Sequence, residues 1–106
     1  MRAAIALATA HGLEVAIPAG VLAQAWRDGR RQARLSVLIS DRRVRIEEVD
    51  GRLAMAAGVL CGRAGTSDVV DASVVLCARR QRNAVVLTSD ADDLVRLDPG
   101  VRVVTV

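Results

Sequence analysis

The amino-acid sequence predicts an α/β domain with a mainly parallel sheet. Short apolar segments of strand length alternate along the chain with longer segments whose apolar residues recur at helical spacing. Strands that alternate with helices are typical of parallel sheets, because each helix carries the chain back to the starting end of the sheet. The length of 106 residues fits one domain over residues 1–106, and an apolar fraction of 52% is sufficient for a hydrophobic core.

The first half of the chain is predicted to contain three helices and two strands. The apolar spacing favours helices over residues 2–10, 19–26 and 30–40. A buried strand is expected at residues 14–17, where Pro18 ends it. Residues 44–47 alternate between apolar and charged, which predicts a strand with one solvated face.

The next segment is predicted to form two helices. Asp50 is expected to cap the first of them, and residues 62–65 to form the turn that follows. Thr66 or Ser67 is expected to cap the second helix, and Asn83 to end it. Two strands and a short helix should complete the fold.

The strand expected after this helix is recognised by its apolar residues. Residues 84–87 are an unbroken apolar run, which predicts a strand covered on both faces. A short helix over residues 90–97 and a last strand over residues 101–106 follow. The carboxyl end of this strand should therefore lie just after residue 87, which is where a site is expected in an open parallel sheet.

Composition sets limits on location and partners. Cys61 and Cys77 have no metal-binding or disulfide spacing, so we expect buried free thiols in a reducing cytoplasm. No segment is long and apolar enough to span a membrane. The formal charge of +3 permits an anionic partner without requiring one.

The arginines, which are the only basic residues besides His11, have two interpretations. Seven of the fifteen arginines cluster around one helix junction and at another helix end, where solvated faces and favourable charges at helix C-termini explain most of them. The alternative is a track that contacts the phosphates of a nucleic acid. The two clusters consist of Arg27, Arg30, Arg31 and Arg34, and of Arg79, Arg80 and Arg82.

Aspartates stand at two points that an α/β fold could bring together. Asp68 and Asp71 are three residues apart at a predicted helix start and so share a face, and Asp90 follows the apolar strand. Like charges at such distances need a cation between them or raised pKa values, and carboxylate oxygens suit Mg²⁺ or Mn²⁺. Asp68 and Asp90 could instead serve as helix-terminus residues, whereas Asp71 lies inside an apolar stretch and is less easily explained that way.

The remaining polar residues near Asp90 are expected to have lesser roles. Thr88 and Ser89 add hydroxyl groups at the same strand end. Asp92 and Asp93 are interpreted as solvated or capping residues, with support of a metal ligand as the alternative for one of them. No phosphate-binding glycine loop and no nucleophile triad is visible.

The order of these motifs resembles the PIN-domain family, in particular the VapC-type ribonuclease toxins of bacterial toxin–antitoxin pairs. The similarity is carried by residues 68–78 (DVVDASVVLCA), 84–90 (AVVLTSD) and 15–24 (VAIPAGVLAQ). It implies a three-layer α/β/α sandwich with a five-stranded parallel sheet. It also implies an endoribonuclease that uses Mg²⁺ or Mn²⁺ and forms a homodimer neutralised by a cognate antitoxin.

The resemblance also implies site residues. The family's third and fourth acidic residues match Asp71 and Asp90, and the hydroxyl beside the fourth matches Ser89 or Thr88. With Asp68 as a further candidate, the expected metal ligands are Asp71, Asp90 and Asp68. The family's helix-borne Glu matches Gln24, which would line the site without supplying a charge or a base.

The sequence departs from the family at its beginning. The family opens with an Asp-bearing strand that is central in the sheet, and this chain begins at what matches the next helix. A start codon assigned too late is the favoured explanation, and a decayed gene is the alternative. We therefore expect weak metal binding and little or no cleavage from these 106 residues.

Two other classes of function stay open at this point. One is a non-catalytic, degenerate PIN-like module that binds an antitoxin or associates with itself. The other is a receiver-like or nucleotide-binding α/β domain, which is disfavoured because no phosphoacceptor Asp follows a first strand and no phosphate loop is present.

Overall fold

The computed structural model of the chain describes residues 2–106, apart from the side chain of Arg2. The described residues form six helices and four short strands. Their contacts divide the chain into two compact units, which are Met1–Glu48 (the N-terminal unit) and Val49–Val106 (the C-terminal unit). None of the helices described is both long and apolar enough to cross a membrane.

The N-terminal unit combines three helices with one pair of strands. Strand β1 pairs in parallel with β2, with Val15 opposite Val44 and Ile17 opposite Ile46. Ile5, Ile17 and Val44 form its buried core. The elements are α1 (Arg2–Ala10), β1 (Val15–Pro18), α2 (Ala19–Ala25), α3 (Gly29–Ile39) and β2 (Val44–Glu47).

The C-terminal unit also contains three helices and one pair of parallel strands. Val86 of β3 stands opposite Val103 of β4. The helices pack around a core formed by Ala57, Cys61, Ala72, Val75, Leu94 and Leu97. The elements are α4 (Gly51–Ala64), α5 (Val69–Arg79), β3 (Val86–Thr88), α6 (Ala91–Leu97) and β4 (Val103–Thr105).

The predicted fold class is confirmed at the coarse level. The chain is mixed α/β, its helices and strands occur in the predicted order, and both strand pairs are parallel. Within residues 2–106 the strands form two sheets of two strands each, ordered β1–β2 and β3–β4. The prediction that residues 1–106 make a single domain stays a prediction.

The turn between α4 and α5 differs from the one predicted. Helix α4 continues to Ala64, and Gly65 ends it in the left-handed conformation with φ 71°. Asp68 caps α5, instead of Thr66 or Ser67. The reason is that the Thr66 hydroxyl accepts a hydrogen bond from the N–H of Asp68, which leaves Asp68 itself at the capping position.

The connection from α5 to β3 also differs. Helix α5 ends at Arg79, whose side chain pairs with Asp98 at 3.0 Å, and Asn83 instead adopts a left-handed turn conformation (φ 59°) that asparagine tolerates well. Strand β3 begins at Val86, and Val85 is 50% exposed. The expectation of a strand covered on both faces was wrong, because Val85 is half exposed and all three residues of β3 are only half-buried.

Candidate carboxylate site

The sequence Thr-Ser-Asp-x-x-Asp occurs twice in the C-terminal unit, at residues 66–71 and 88–93, and each copy opens a helix. In the first copy the carboxylate of Asp68 accepts a hydrogen bond from the backbone N–H of Asp71 at 3.0 Å. In the second copy Asp90 occupies the capping position of α6, but its side chain makes no capping hydrogen bond. Two pairs of aspartates therefore stand at the starts of two helices.

The threonine of each copy performs part of the capping that an acidic residue usually performs. Thr66 Oγ1 accepts a hydrogen bond from the N–H of Asp68 at 3.2 Å, and Thr88 Oγ1 accepts one from the N–H of Asp90 at 2.9 Å. In a standard capping box, the acidic residue three positions later would accept that bond. The carboxylates of Asp71 and Asp93 are therefore released from this structural role.

The core holds the first aspartate pair in place. The backbone N–H of Gly65 donates to the carbonyl oxygen of Cys61, and the buried thiol of Cys61 donates to the carbonyl oxygen of Asp68 at 3.4 Å. Ala72, which directly follows Asp71, is completely buried. The position of this pair is thus fixed by the corner between α4 and α5.

The second pair is anchored to the same core. Leu94 directly follows Asp93 and is 2% exposed, and it belongs to the cluster that contains Ala72. Helix α6 packs against both α4 and α5 through this cluster. Packing of the helices therefore brings the beginnings of α5 and α6 close together.

The pKa of Asp71 depends on both pairs of aspartates. It is raised from 3.8 to about 6, first by burial, then by the negative charge of Asp68 and a hydrogen bond with it, and further by the charges of Asp93 and Asp90. The pKa of Asp71 is therefore raised by carboxylates at the start of α5 and also by carboxylates at the start of α6. Such mutual repulsion is what a bound cation would relieve.

The pKa of Asp90 is raised as well, although its side chain is exposed. The largest cause is the charge of Asp93, followed by a hydrogen bond with Asp93, and Asp68 also contributes. Asp68, Asp71, Asp90 and Asp93 consequently interact as one group, named the carboxylate cluster below.

A small cleft of ≈ 90 Å³ opens at the carboxylate cluster. It lies between the beginning of α5 and helix α6. The cleft is lined by Thr66, Asp68, Asp71, Asp93, Arg96 and Leu97. Three aspartates and one arginine are thus among the residues that line this cleft.

Of the three predicted metal ligands, Asp68 and Asp71 are joined by a hydrogen bond and both line the cleft, whereas Asp90 is not a lining residue and acts on Asp71 through its charge. The capping role considered for Asp68 is confirmed, and Asp68 still contributes its charge to the cluster. Asp93 is a member that sequence reasoning treated as solvated or capping. The repeated Thr-Ser-Asp-x-x-Asp pattern is the signal that could have identified it, because it assigns Asp93 the place that Asp71 holds in the first copy.

Of the three residues predicted to line the site, one has a structural role and the other two are exposed. Thr88 is bonded to the N–H of Asp90, which gives it a structural role at the helix start, and Ser89 is exposed. Gln24 is exposed on α2 of the N-terminal unit.

The ligand atoms of the cluster are of the type that binds divalent cations, but the side chains are not preorganised around an ion. All its donors are hard carboxylate oxygens, which Mg²⁺ and Mn²⁺ prefer. Among residues 2–106, no three His, Cys, Asp or Glu side chains already converge in an arrangement that could hold a metal ion. Carboxylate side chains would have to rotate toward an ion, which costs side-chain entropy and lowers affinity.

No family model, curated protein or solved structure matches this chain.

Proposed function

We propose that this protein is a PIN-like, metal-dependent endoribonuclease of the toxin type, which cleaves phosphodiester bonds of RNA. The observation that carries the proposal is the carboxylate cluster, in which three other aspartates contribute to the raised pKa of Asp71. Perturbed carboxyl groups that share a cleft are typical of functional sites. The proposal includes a three-layer α/β/α sandwich, of which the parallel strand pairs and their helices would be parts.

In this proposal, Asp71 and Asp90 hold Mg²⁺ or Mn²⁺, with Asp68 as a third ligand. A bound divalent cation would activate a water for in-line attack on the phosphodiester and stabilise the developing charge. Asp71 has to be ionised to act as a ligand, and its pKa of about 6 makes it largely ionised at neutral pH. Thr88 fixes the start of α6 through its bond with the N–H of Asp90, which positions that ligand.

The proposed metal binding is weak and the proposed cleavage is slow. The side chains have to rotate to reach an ion, and Gln24 supplies an amide where the family carries a charged carboxylate. A ligand set with less charge and less preorganisation binds a hard cation less tightly.

A second candidate is a non-catalytic module that binds an antitoxin or a second copy of itself. The observation that favours it is that no set of three metal-ligating side chains is already assembled in the described part of the chain. The residual carboxylate cluster would then be a remnant of the site.

The proposed partners are RNA as substrate, a cognate antitoxin protein, and a second copy of the chain in a homodimer. The proposed location is the cytoplasm. Cys61 and Cys77 are both buried free thiols, which suits a reducing compartment.

The test is a cleavage assay on a mixture of structured and single-stranded RNA with Mn²⁺ present. We expect slow, EDTA-sensitive cleavage by the wild-type protein and none by Asp71→Asn or Asp90→Asn. Equal cleavage by wild type and Asp71→Asn would refute the site. No cleavage by wild type, together with capture of a partner or self-association, would favour the non-catalytic module.

A further inference from the structure

An open apolar groove lies between helices α1 and α3 of the N-terminal unit. Its volume is ≈ 390 Å³, and the residues that line it are Ala3, Ala6, Arg34, Val37 and Leu38. Helix α1 forms one wall and helix α3 the other, and the two helices contact each other. Four of the five lining residues are apolar, so the groove offers few hydrogen-bonding partners to water. Apolar side chains of a binding partner would displace that water favourably.

The wall formed by α1 is made of small side chains. Ile5 and Thr9 of this helix are buried. Next to them around the helix, Ala3, Ala6 and Ala10 are exposed and recur at the spacing of one helix face. A row of methyl groups lets another helix approach closely, because no long side chain has to be moved aside.

The wall formed by α3 carries arginines and an exposed valine. Leu35 is buried in the unit, whereas Arg30, Arg34 and Val37 are exposed at positions i, i+4 and i+7 of one helix face. Val37 is 74% exposed although it is apolar, and it lines the groove. This face therefore offers positive charge along its first two turns and an apolar contact in its third.

The positive charge of α3 is not balanced by ion pairs within the described part of the chain. Helices α1 and α3 contain no acidic residue, and the arginines of α3 are absent from the ion pairs found in residues 2–106. The carboxylates nearest in sequence, Asp28 and Asp41, flank α3 at its two ends. Arg30 and Arg31 lie in the first turn, where the helix dipole makes a positive charge unfavourable. The stability of α3 by itself does not explain arginine at these two positions.

A groove between two helices with this charge fits a third helix that is amphipathic and acidic. The apolar side chains of such a helix would pack on the alanines of α1 and on Val37, as the ridges of one helix pack into the grooves of others. Arg30 and Arg34 are one helical turn apart, so two carboxylates one turn apart on the partner would complement them. Charge complementarity and shape therefore specify the same occupant.

Two other anionic partners fit the groove less well. A nucleic acid is bound through its phosphates and other polar groups, and an apolar lining would leave such groups unpaired. An anionic membrane is bound by large apolar side chains that insert among the lipids. The wall formed by α1 instead consists of alanines in a concave surface, which receives side chains.

We propose that the groove between α1 and α3 binds an acidic, amphipathic helix of another protein. The occupant carries two carboxylates one turn apart, followed by apolar residues that contact Val37 and the alanines of α1. This inference goes beyond the proposed function and does not rest on it, because the groove belongs to the N-terminal unit and the carboxylate cluster to the C-terminal unit.

The experiment uses the full chain and two fluorescein-labelled peptides designed as amphipathic helices. Both present leucines on one face, and the residues that flank this face are glutamates in the first peptide and lysines in the second. Binding is measured by fluorescence anisotropy at low and at high salt. The variants are Arg34→Gln and Val37→Ser in the groove, with the matched controls Arg82→Gln and Val59→Ser at exposed positions of the C-terminal unit.

We expect the glutamate peptide to bind at least about tenfold more tightly than the lysine peptide, with a preference that falls as salt screens the charges. Arg34→Gln should weaken binding of the glutamate peptide about threefold, as for an exposed ion pair, and Val37→Ser about fivefold through lost apolar contact. The two controls should bind within about 1.5-fold of wild type, because they lie outside the groove. All four variants should keep the circular dichroism spectrum of wild type, since the replaced side chains are exposed.

Absence of binding by the glutamate peptide, or equal binding of the two peptides, would overturn the proposal. Equal losses in Arg34→Gln and Arg82→Gln would overturn it too, because the effect would then be one of net charge. So would tighter binding of phosphatidylserine vesicles or of a single-stranded oligoribonucleotide that weakens in Val37→Ser, or self-association of the chain that Val37→Ser abolishes. None of these results decides the proposed function, which Mn²⁺ binding and RNA cleavage test separately.

Discussion

Replacement of Asp71 by Asn should stabilise the protein at neutral pH and leave it unchanged in acid. The folded state raises the pKa of Asp71 from 3.8 to about 6, so it favours the protonated carboxyl. The stability that this group contributes is fully present below about pH 4 and is lost as the pH rises through about 6. Asparagine imitates the protonated carboxyl at every pH and can still donate a hydrogen bond to Asp68.

The size of the effect follows from the pKa. A pKa raised from 3.8 to about 6 corresponds to roughly 3 kcal/mol for a fully enclosed carboxyl. Asp71 is only half-buried, so water and salt screen much of this interaction and we expect about 1 kcal/mol. In a chain of this size, about 1 kcal/mol corresponds to a rise in melting temperature of roughly 4–8 °C.

The assay is urea unfolding followed by far-ultraviolet circular dichroism, in metal-free buffer from about pH 4 to about pH 7.5. The control is Glu48→Gln, which removes one exposed negative charge from the N-terminal unit. Loss of stability by Asp71→Asn at neutral pH would refute the reasoning. A pH-dependent gain of the same size in Glu48→Gln would also refute it, because the repulsion would then not be local to the cluster.

Three further predictions concern the supports of the cluster. Asp93→Asn should lower the pKa of Asp90 toward its ordinary value, because the charge of Asp93 is the largest cause of the raised pKa. Carbon-detected NMR titration measures this pKa, and an unchanged value would exclude Asp93 from the cluster. Thr88→Val should cost about 1 kcal/mol in urea unfolding, since the N–H of Asp90 loses its acceptor, whereas Thr88→Ser should retain most of the stability. Gly65→Ala should lower the free energy of unfolding by about 1 kcal/mol through its left-handed φ of 71° alone, because open space surrounds this residue. Gly58→Ala, at ordinary helical geometry within α4, should instead raise the free energy of unfolding. A loss of stability in both variants would contradict this assignment of strain.

The order of helices and strands could be predicted from the sequence because each depends on local periodicity. Apolar spacing and the cap at Asp50 locate α4, and the Asp50 side chain does accept the N–H of Leu53 at 2.8 Å. The boundaries after residue 64 were less predictable, because they depend on competition between neighbouring polar groups. Thr66, Ser67 and Asp68 are all good capping residues, and the hydrogen bond from the N–H of Asp68 to Thr66 Oγ1 decides which of them caps.

Two members of the carboxylate cluster could be recognised from the sequence, and their role as metal ligands stays a prediction. Asp71 stood out because it interrupts an apolar helix face, and Asp90 because it follows an apolar strand. Asp93 did not stand out, because an acidic residue in the first turn of a helix is favourable in any protein. Asp93 raises the pKa of both Asp71 and Asp90. Its effect on Asp71 depends on the packing of α5 against α6, which a local sequence pattern does not reveal.

The central claim is that the carboxylate cluster binds a divalent cation through Asp71. Calorimetric titration of Mn²⁺ at about pH 7.5, into wild type and Asp71→Asn, tests it most directly. We expect saturable binding of one ion by wild type with weak affinity, on the order of a millimolar, since the ligands are not preorganised, and loss of that binding in the variant. Equal binding by the two proteins, or none by wild type, would contradict the claim, and micromolar binding would contradict the absence of preorganisation.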